Sequence, residues 1–262
     1  MKQIVKEPPR GNINTLTYSK FLEYKNKVNI DTDFGKLLNN KRVVIVGPSP
    51  NTIGRNLGQF IDNFDLVVRV NKSFPVVQKY IDDIGSRTDI LYHCLLQNEA
   101  NCGKVYINEM LKENVKYICC PYPKFMNPFH RDVITFEYQN QNRLKFRTID
   151  LSYYISLVTD VKTRLNSGIG AIMDLVVHNI KELHIIGYTF YEDGFYKGYR
   201  NHPAMKDTGK DSNQWSGNQI SSNFNGNHQQ LPQKQVIKML GDYDSRVTLD
   251  EQTKIILDRL IQ

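Results

Sequence analysis

The chain has 262 residues, with 34 basic and 27 acidic side chains and a formal charge of +7. Such a length accommodates one large α/β domain with small additions better than two independent domains. The basic residues are spread rather than blocked, so the charge suits a phosphate-bearing ligand or an anionic surface and does not by itself indicate nucleic acid.

Residues 1–40 are polar and weakly patterned, with Pro8, Pro9 and Gly11 ahead of a short helical piece around 18–24. They are expected to form an amino-terminal arm or packing extension on a domain spanning 41–262. The opening MKQIVKEPPRGN lacks the apolar core of a signal peptide, and no run of roughly eighteen apolar residues follows. A soluble, cytoplasmic protein is the expectation, with any membrane anchor outside this chain.

The stretch KRVVIVGPSPNTIGRNLGQFIDNFDLVVRVNK, residues 41–72, reads as strand, tight loop, helix, strand. In a parallel sheet, the loop between a strand and a helix amino terminus presents unpaired N–H groups that favour a phosphate. Gly47, Gly54 and Gly58 fit neither the dinucleotide fingerprint nor the Walker pattern, so a plain buried strand and turn is the alternative. Residues 76–84 predict a helix, 88–94 a strand, 105–112 an amphipathic helix, and 115–119 a strand closed by Pro121 and Pro123. This alternation predicts α/β architecture.

All four cysteines, Cys94, Cys102, Cys119 and Cys120, lie in that region without the paired spacing of a zinc ribbon. Reduced thiols are the default, with a bridge involving Cys94 or Cys102 left open. The aromatic and polar stretch 128–147, with His130, Arg131 and Asp132 near its start, is read as covering a face or contributing to a pocket. Residues 151–165 predict a helix, and Ser167-Gly168-Ile169-Gly170 leads into a patterned helix before the strand LHIIGYTF. Ser167 and the N–H groups of Gly168 and Gly170 can hold an anion or ribose, or Ser167 can serve only as an N-cap. Residues 192–227 form a long loop carrying Tyr196, Tyr199, Trp215 and Phe224, of a length usually tied to function. Helices are predicted over 233–240 and 248–260.

In order and spacing, two segments resemble the large and small sialylmotifs of the sialyltransferase family of glycosyltransferases. The first is VVIVGPS (43–49) with IDNFDLVVRVNK (61–72); the second is NSG (166–168), then VVHN (176–179) and KELHIIGYTF (181–190). The resemblance implies a single Rossmann-like, GT-A-like domain with a mostly parallel central sheet flanked by helices. It implies transfer of sialic acid or a related ulosonic sugar from a cytidine monophosphate (CMP) donor to a glycan hydroxyl, inverting and metal-independent. No cofactor is implied beyond the CMP-activated sugar, and the partners are that donor and a glycan acceptor.

Carried over by position, the resemblance implies His228 as general base and His202 as the histidine beside the departing phosphate. Gly47, Ser49, Arg69, Asn71, Ser167, Gly168 and Tyr188 become the donor-side residues, with Tyr199 another hydrogen-bond donor of that region. An imidazole suits the base because its ordinary pKa lies near working pH. Three departures stand out. The family joins its two motifs by a disulfide where this chain has Val43 and Ile180; Pro48 replaces the loop asparagine; and Gln233 replaces the late glutamate. His93, His178 and His184 are assigned hydrogen-bonded structural roles. Arg69 has the alternative of a solvent-facing strand residue, and Asp207 and Asp211 that of a solvated loop rather than a metal site.

Two other classes compete. A Rossmann-type cofactor enzyme would use Asp65 against a ribose, but its glycines are missing. A non-catalytic carbohydrate- or nucleic-acid-binding protein derived from a transferase would explain Pro48 and Gln233, although no compact aromatic and basic RNA motif is present.

Overall fold

The computed structural model describes residues 5–6, 16–30, 32–97, 102–127, 130–199 and 228–260. Its strands are β1 (Val5–Lys6), β2 (Arg42–Val46), β3 (Leu66–Val70), β4 (Ile90–Tyr92), β5 (Tyr117–Cys120), β6 (Met126–Asn127), β7 (Phe146–Thr148), β8 (Glu182–Ile186) and β9 (Val247–Leu249). The α-helices are α1 (Tyr18–Lys25), α2 (Asp33–Leu38), α3 (Gly58–Asp62), α4 (Ile81–Ile84), α5 (Ile107–Lys112), α6 (His130–Asn140), α7 (Leu151–Val161), α8 (Ser167–Val176), α9 (Gln230–Tyr243) and α10 (Glu251–Asp258). Seven strands make one sheet in the order β7-β5-β4-β3-β2-β8-β9, and β1 pairs with β6 apart from it.

Every neighbouring pair in the seven-stranded sheet is parallel. The cause lies in the strand sequences. Val43, Ile45, Leu66, Val68 and Val70 point into the larger core, while Val44, Val46 and Val67 point into a smaller one on the opposite face. A strand buried on both faces reads as a near-continuous run of Val, Ile and Leu, as these do apart from Arg69. Helix α8 packs on β3 and β4 on the larger side. On the smaller side, Ile61, Phe64 and Ile84 join Tyr196 and Tyr199. Phe21, Phe34 and Leu38 bring α1 and α2 into the larger core, as do Val43 and Ile180 from the two motif-like segments.

Several local expectations are corrected. No α-helix follows the Gly47–Ser49 loop directly; a single 3-10 turn, Pro50–Thr52, comes first, and α3 begins only at Gly58. The predicted helix over 76–84 is a 3-10 turn, Gln78–Tyr80, followed by the one-turn α4. The stretch 128–147 contains a whole helix, α6, and the edge strand β7. The predicted helix over 248–260 is preceded by strand β9, whose three residues are too few to show a period. Asn166, not Ser167, caps α8, its Oδ1 accepting from the Ile169 N–H at 2.9 Å.

From β2 the chain adds β3, β4, β5 and β7 on one side, then returns to place β8 and β9 on the other. The order reverses between β2 and β8. At such a reversal the loops leaving the two strands separate, which opens a crevice at the carboxyl ends of the sheet.

Candidate functional site

A cavity of about 370 Å³ lies in that crevice. Because the strands are parallel, their outgoing loops share one edge. Pro48 and Ser49 follow β2, Asn71 follows β3, Cys94 follows β4, Tyr122 follows β5 and Tyr188 follows β8; all line the cavity. The opposite wall comes from Arg164 and Asn166 before α8, Ser167 and Gly168 in its first turn, and His228 and Gln230 at the start of α9.

Backbone packing explains two glycines. A Cβ on Gly47 would stand 2.4 Å from the Gly187 carbonyl oxygen, so the β2 and β8 exits can touch only without side chains there. Gly47 thus shapes the crevice but does not line it. A Cβ on Gly168 would stand 2.6 Å from the Tyr188 ring, which packs against the first turn of α8. The Tyr188 hydroxyl is buried without a hydrogen-bond partner among the described residues, and burial pushes its pKa up, so it stays protonated as a donor.

Ser49 is buried, and its Oγ accepts from the Asn51 N–H at 3.1 Å, capping the 3-10 turn. Asn71 adopts a left-handed backbone (φ +51°), which asparagine tolerates, and its Oδ1 accepts from the Cys94 N–H at 3.1 Å. That bond ties the exits of β3 and β4 together on the cavity wall. Arg69 does not reach the cavity, and neither is it solvent-facing. Alternation along β3 sends it to the smaller face, where it is fully buried. There its Nη2 donates to the Ile84 and Gly85 carbonyls at 2.8 and 2.9 Å, and its Nε to the Arg87 carbonyl at 2.9 Å. Burial lowers its pKa to about 10, still charged at neutral pH.

His228 is held at its Nδ1, 2.9 Å from the Arg164 carbonyl oxygen. A carbonyl only accepts, so Nδ1 carries the proton, and a neutral ring then has its lone pair on Nε2. The segment around it is stitched to the turn before α8. The Gln229 N–H donates to Thr163 Oγ1 at 2.9 Å, and Gln233 spans both sides. Gln233 is fully buried; its Oε1 accepts from the Asn166 N–H at 2.8 Å and its Nε2 donates to the Gln229 carbonyl at 3.0 Å. It does not act on the His228 ring through any of these bonds; it fixes the main chain beside it. His202 lies outside the described residues, as do Trp215, Phe224, Asp207 and Asp211.

The crevice therefore brings together Ser49, Asn71, Ser167, Gly168, Tyr188 and His228, and leaves Gly47 and Arg69 behind it. Sequence reasoning singled out neither Arg164 nor Asn166 as a site residue, and both are on the cavity wall. Arg164 and Asn166 sit at the start of the NSG segment, so the signal was adjacency. Asp132, on the same wall, belongs to the stretch 128–147, read from the sequence as covering a face or contributing to a pocket; burial raises its pKa. Among the described residues no group of three His, Cys, Asp or Glu side chains could hold a metal ion. No described helix is long and apolar enough to cross a membrane.

Behind the cavity, Asp174 of α8 is buried and paired with the Arg147 guanidinium of β7, and it accepts from the Tyr92 hydroxyl at 2.6 Å. The Arg147 charge outweighs burial and lowers the Asp174 pKa. This cluster pins α8 to β4 and β7, and so fixes where the Asn166–Gly168 turn stands.

A parallel sheet with helices on both faces and a crevice at its topological switch point defines a Rossmann-like, GT-A-like α/β protein. The model of glycosyltransferase family 29 (sialyltransferase) matches residues 7–140, just over half the chain, and the protein belongs to that family. Among solved structures, one of a mammalian sialyltransferase in complex with Gal-beta-1-3GalNAc-ortho-nitrophenol is 15% identical, with a TM-score of 0.50 over 94% of this chain and 92% of that one. A second mammalian sialyltransferase structure is 16% identical, with a TM-score of 0.51 over 94% and 81% of the two chains. A variant of the sialyltransferase CST-II in complex with CMP is 16% identical, with a TM-score of 0.50 over 80% of each chain. At these identities the likeness is one of fold. No curated protein sequence matches this chain.

Proposed function

We propose that this protein transfers sialic acid or a related ulosonic sugar from a CMP-activated donor to a glycan hydroxyl, with inversion and without a metal ion. What carries the reading is His228 on the wall of the switch-point crevice of a family 29 chain, its Nδ1–H donating to the Arg164 carbonyl. The lone pair on Nε2 is then the base that takes the acceptor proton as the sugar carbon is attacked. The donor's leaving group is a phosphate, so the remaining task is to hold it and offset its charge. In this reading Arg164 supplies the positive charge, the Tyr188 hydroxyl and the N–H groups at the start of α8 donate to the phosphate, and Asn71 and Ser49 border the nucleotide. Gly47 and Arg69 support this wall from outside it, and His202 is the proposed proton donor to the phosphate.

The test uses the whole chain, with CMP binding measured by calorimetry and transfer and hydrolysis of CMP-sialic acid followed with a panel of glycan acceptors. His228→Ala and His228→Asn are expected to bind CMP as the wild type does while losing transfer by about 10²–10⁴-fold, the usual worth of a general base. Equal transfer by wild type and variants, with chemistry limiting, removes His228 as base. A wild type that does not bind CMP removes the donor assignment. An added chelator should leave transfer intact.

A further inference from the structure

We propose that Cys94 and Cys102 form a redox-modifiable dithiol in the wall of the crevice, converted to an intramolecular disulfide by small disulfides of the oxidised-glutathione class. Their Sγ atoms stand 2.6 Å apart across a separation of eight residues, closer than two sulfurs in ordinary van der Waals contact. Both side chains line the cavity, Cys94 buried and Cys102 partly exposed, so a soluble oxidant entering the crevice reaches the pair. Cys119 and Cys120 are wholly buried in β5 and offer no such access.

The pairing is built rather than incidental. His93, next in sequence to Cys94, is buried with both ring nitrogens engaged. Its Nδ1 accepts from the Leu95 N–H at 2.9 Å, so the ring proton is on Nε2, which donates to the Cys102 carbonyl at 2.9 Å. One imidazole therefore bridges the main chain beside both cysteines. Burial lowers its pKa to about 4, so the neutral form that makes both bonds persists through the physiological range. Asn71 adds a further restraint, its Oδ1 accepting from the Cys94 N–H.

The chemistry divides by exposure. The Cys102 sulfur, the more accessible, attacks as thiolate one sulfur of the small disulfide, releasing one small thiol and leaving a mixed disulfide on Cys102. The Cys94 sulfur then displaces the second small thiol, closing the Cys94–Cys102 bond. Two protein thiols are oxidised, one small disulfide is reduced to two thiols, and the two thiol protons pass to the products. The hydrogen bond to Cys102 and burial hold the Cys94 thiol well above its ordinary pKa, which makes it the resolving rather than the attacking partner.

The experiment equilibrates the native protein with mixtures of reduced and oxidised glutathione, quenches with acid, alkylates free thiols and maps peptides by mass spectrometry. Expected is a peptide joining Cys94 to Cys102 that rises with the oxidised fraction and disappears with dithiothreitol, while Cys119 and Cys120 are alkylated only after unfolding. Cys94→Ser should instead accumulate glutathione on Cys102, since nothing remains to resolve it. Far-ultraviolet circular dichroism before the quench checks that each form is folded. Cys94 and Cys102 that both stay free at full oxidation in a folded chain overturn the proposal, as does glutathione on Cys102 of the wild type with no joined peptide. Neither readout depends on sugar transfer, so the result stands apart from the assignment of donor and acceptor.

Discussion

Replacing Gln233 by glutamate isolates the part this side chain plays in holding the His228 segment. In the wild type one amide satisfies two buried main-chain groups of opposite kind: the Asn166 N–H donates to Oε1 at 2.8 Å, and Nε2 donates to the Gln229 carbonyl at 3.0 Å. A carboxylate keeps the first bond and turns the second into two acceptors facing each other at a fully buried position. The lost bond and unsatisfied carbonyl cost about 1–3 kcal/mol, and the buried charge adds to that. A protonated carboxyl restores both bonds, because its O–H donates where the amide N–H did. The folded pKa of the carboxyl introduced by Gln233→Glu is therefore raised above the unfolded value. The folded state then holds the proton more tightly, so the variant's deficit is small below the unfolded carboxyl range and grows as pH rises toward the folded pKa. Urea unfolding of wild type and variant at pH 5 and pH 8 measures this difference, and groups common to both cancel. The variant should match the wild type more closely at pH 5 and fall behind at pH 8 by more than the roughly 1–3 kcal/mol of the lost bond and unsatisfied carbonyl, since the buried charge adds to it. A Gln233→Leu control lacks both bonds and should show a deficit that does not change with pH. Equal stability of wild type and Gln233→Glu at pH 8 would refute the argument.

Two further predictions concern the scaffold. Asp174→Ala leaves the partly buried Arg147 guanidinium without its carboxylate and the buried Tyr92 hydroxyl without its acceptor, and should cost about 3 kcal/mol in denaturant unfolding; a loss under about 1 kcal/mol would mean the pair is not coupled to the fold. Burial lowers the pKa of His93 and of His178 to about 4, against an unfolded value near 6.5. The unfolded chain therefore takes up protons first, and stability on the order of 3 kcal/mol per histidine, complete above about pH 6.5, is lost as pH falls toward 4. Melting temperatures from pH 7.5 to pH 4.5 should show this decline, and His178→Phe should shallow it; an unchanged slope in that variant would exclude His178 as a source.

The sequence by itself determined the layered character of the fold, because parallel strands buried on both faces are rich in Val, Ile and Leu, as residues 42–46 and 66–70 are. It also marked the turns at Gly47–Ser49 and Ser167–Gly170, where the local chemistry of glycine, proline and serine shows without any partner. It brought the family resemblance into view for the same reason, since its two segments carry those turns. Short edge strands such as β7 and β9 were hidden, because three residues hold too little periodicity and their pairing depends on β5 and β8. Only the tertiary structure decided which marked residues share the crevice. Arg69 and Asn71 are two positions apart, yet one faces the buried carbonyls of residues 84–87 and the other the cavity, because the strand ends between them and Asn71 turns left-handed. Arg164 and Gln233 had no local mark of the contacts they make. Their roles rest on contacts across a chain separation of more than sixty residues, His228 to the Arg164 carbonyl and Gln233 to the Asn166 N–H, which no local pattern encodes.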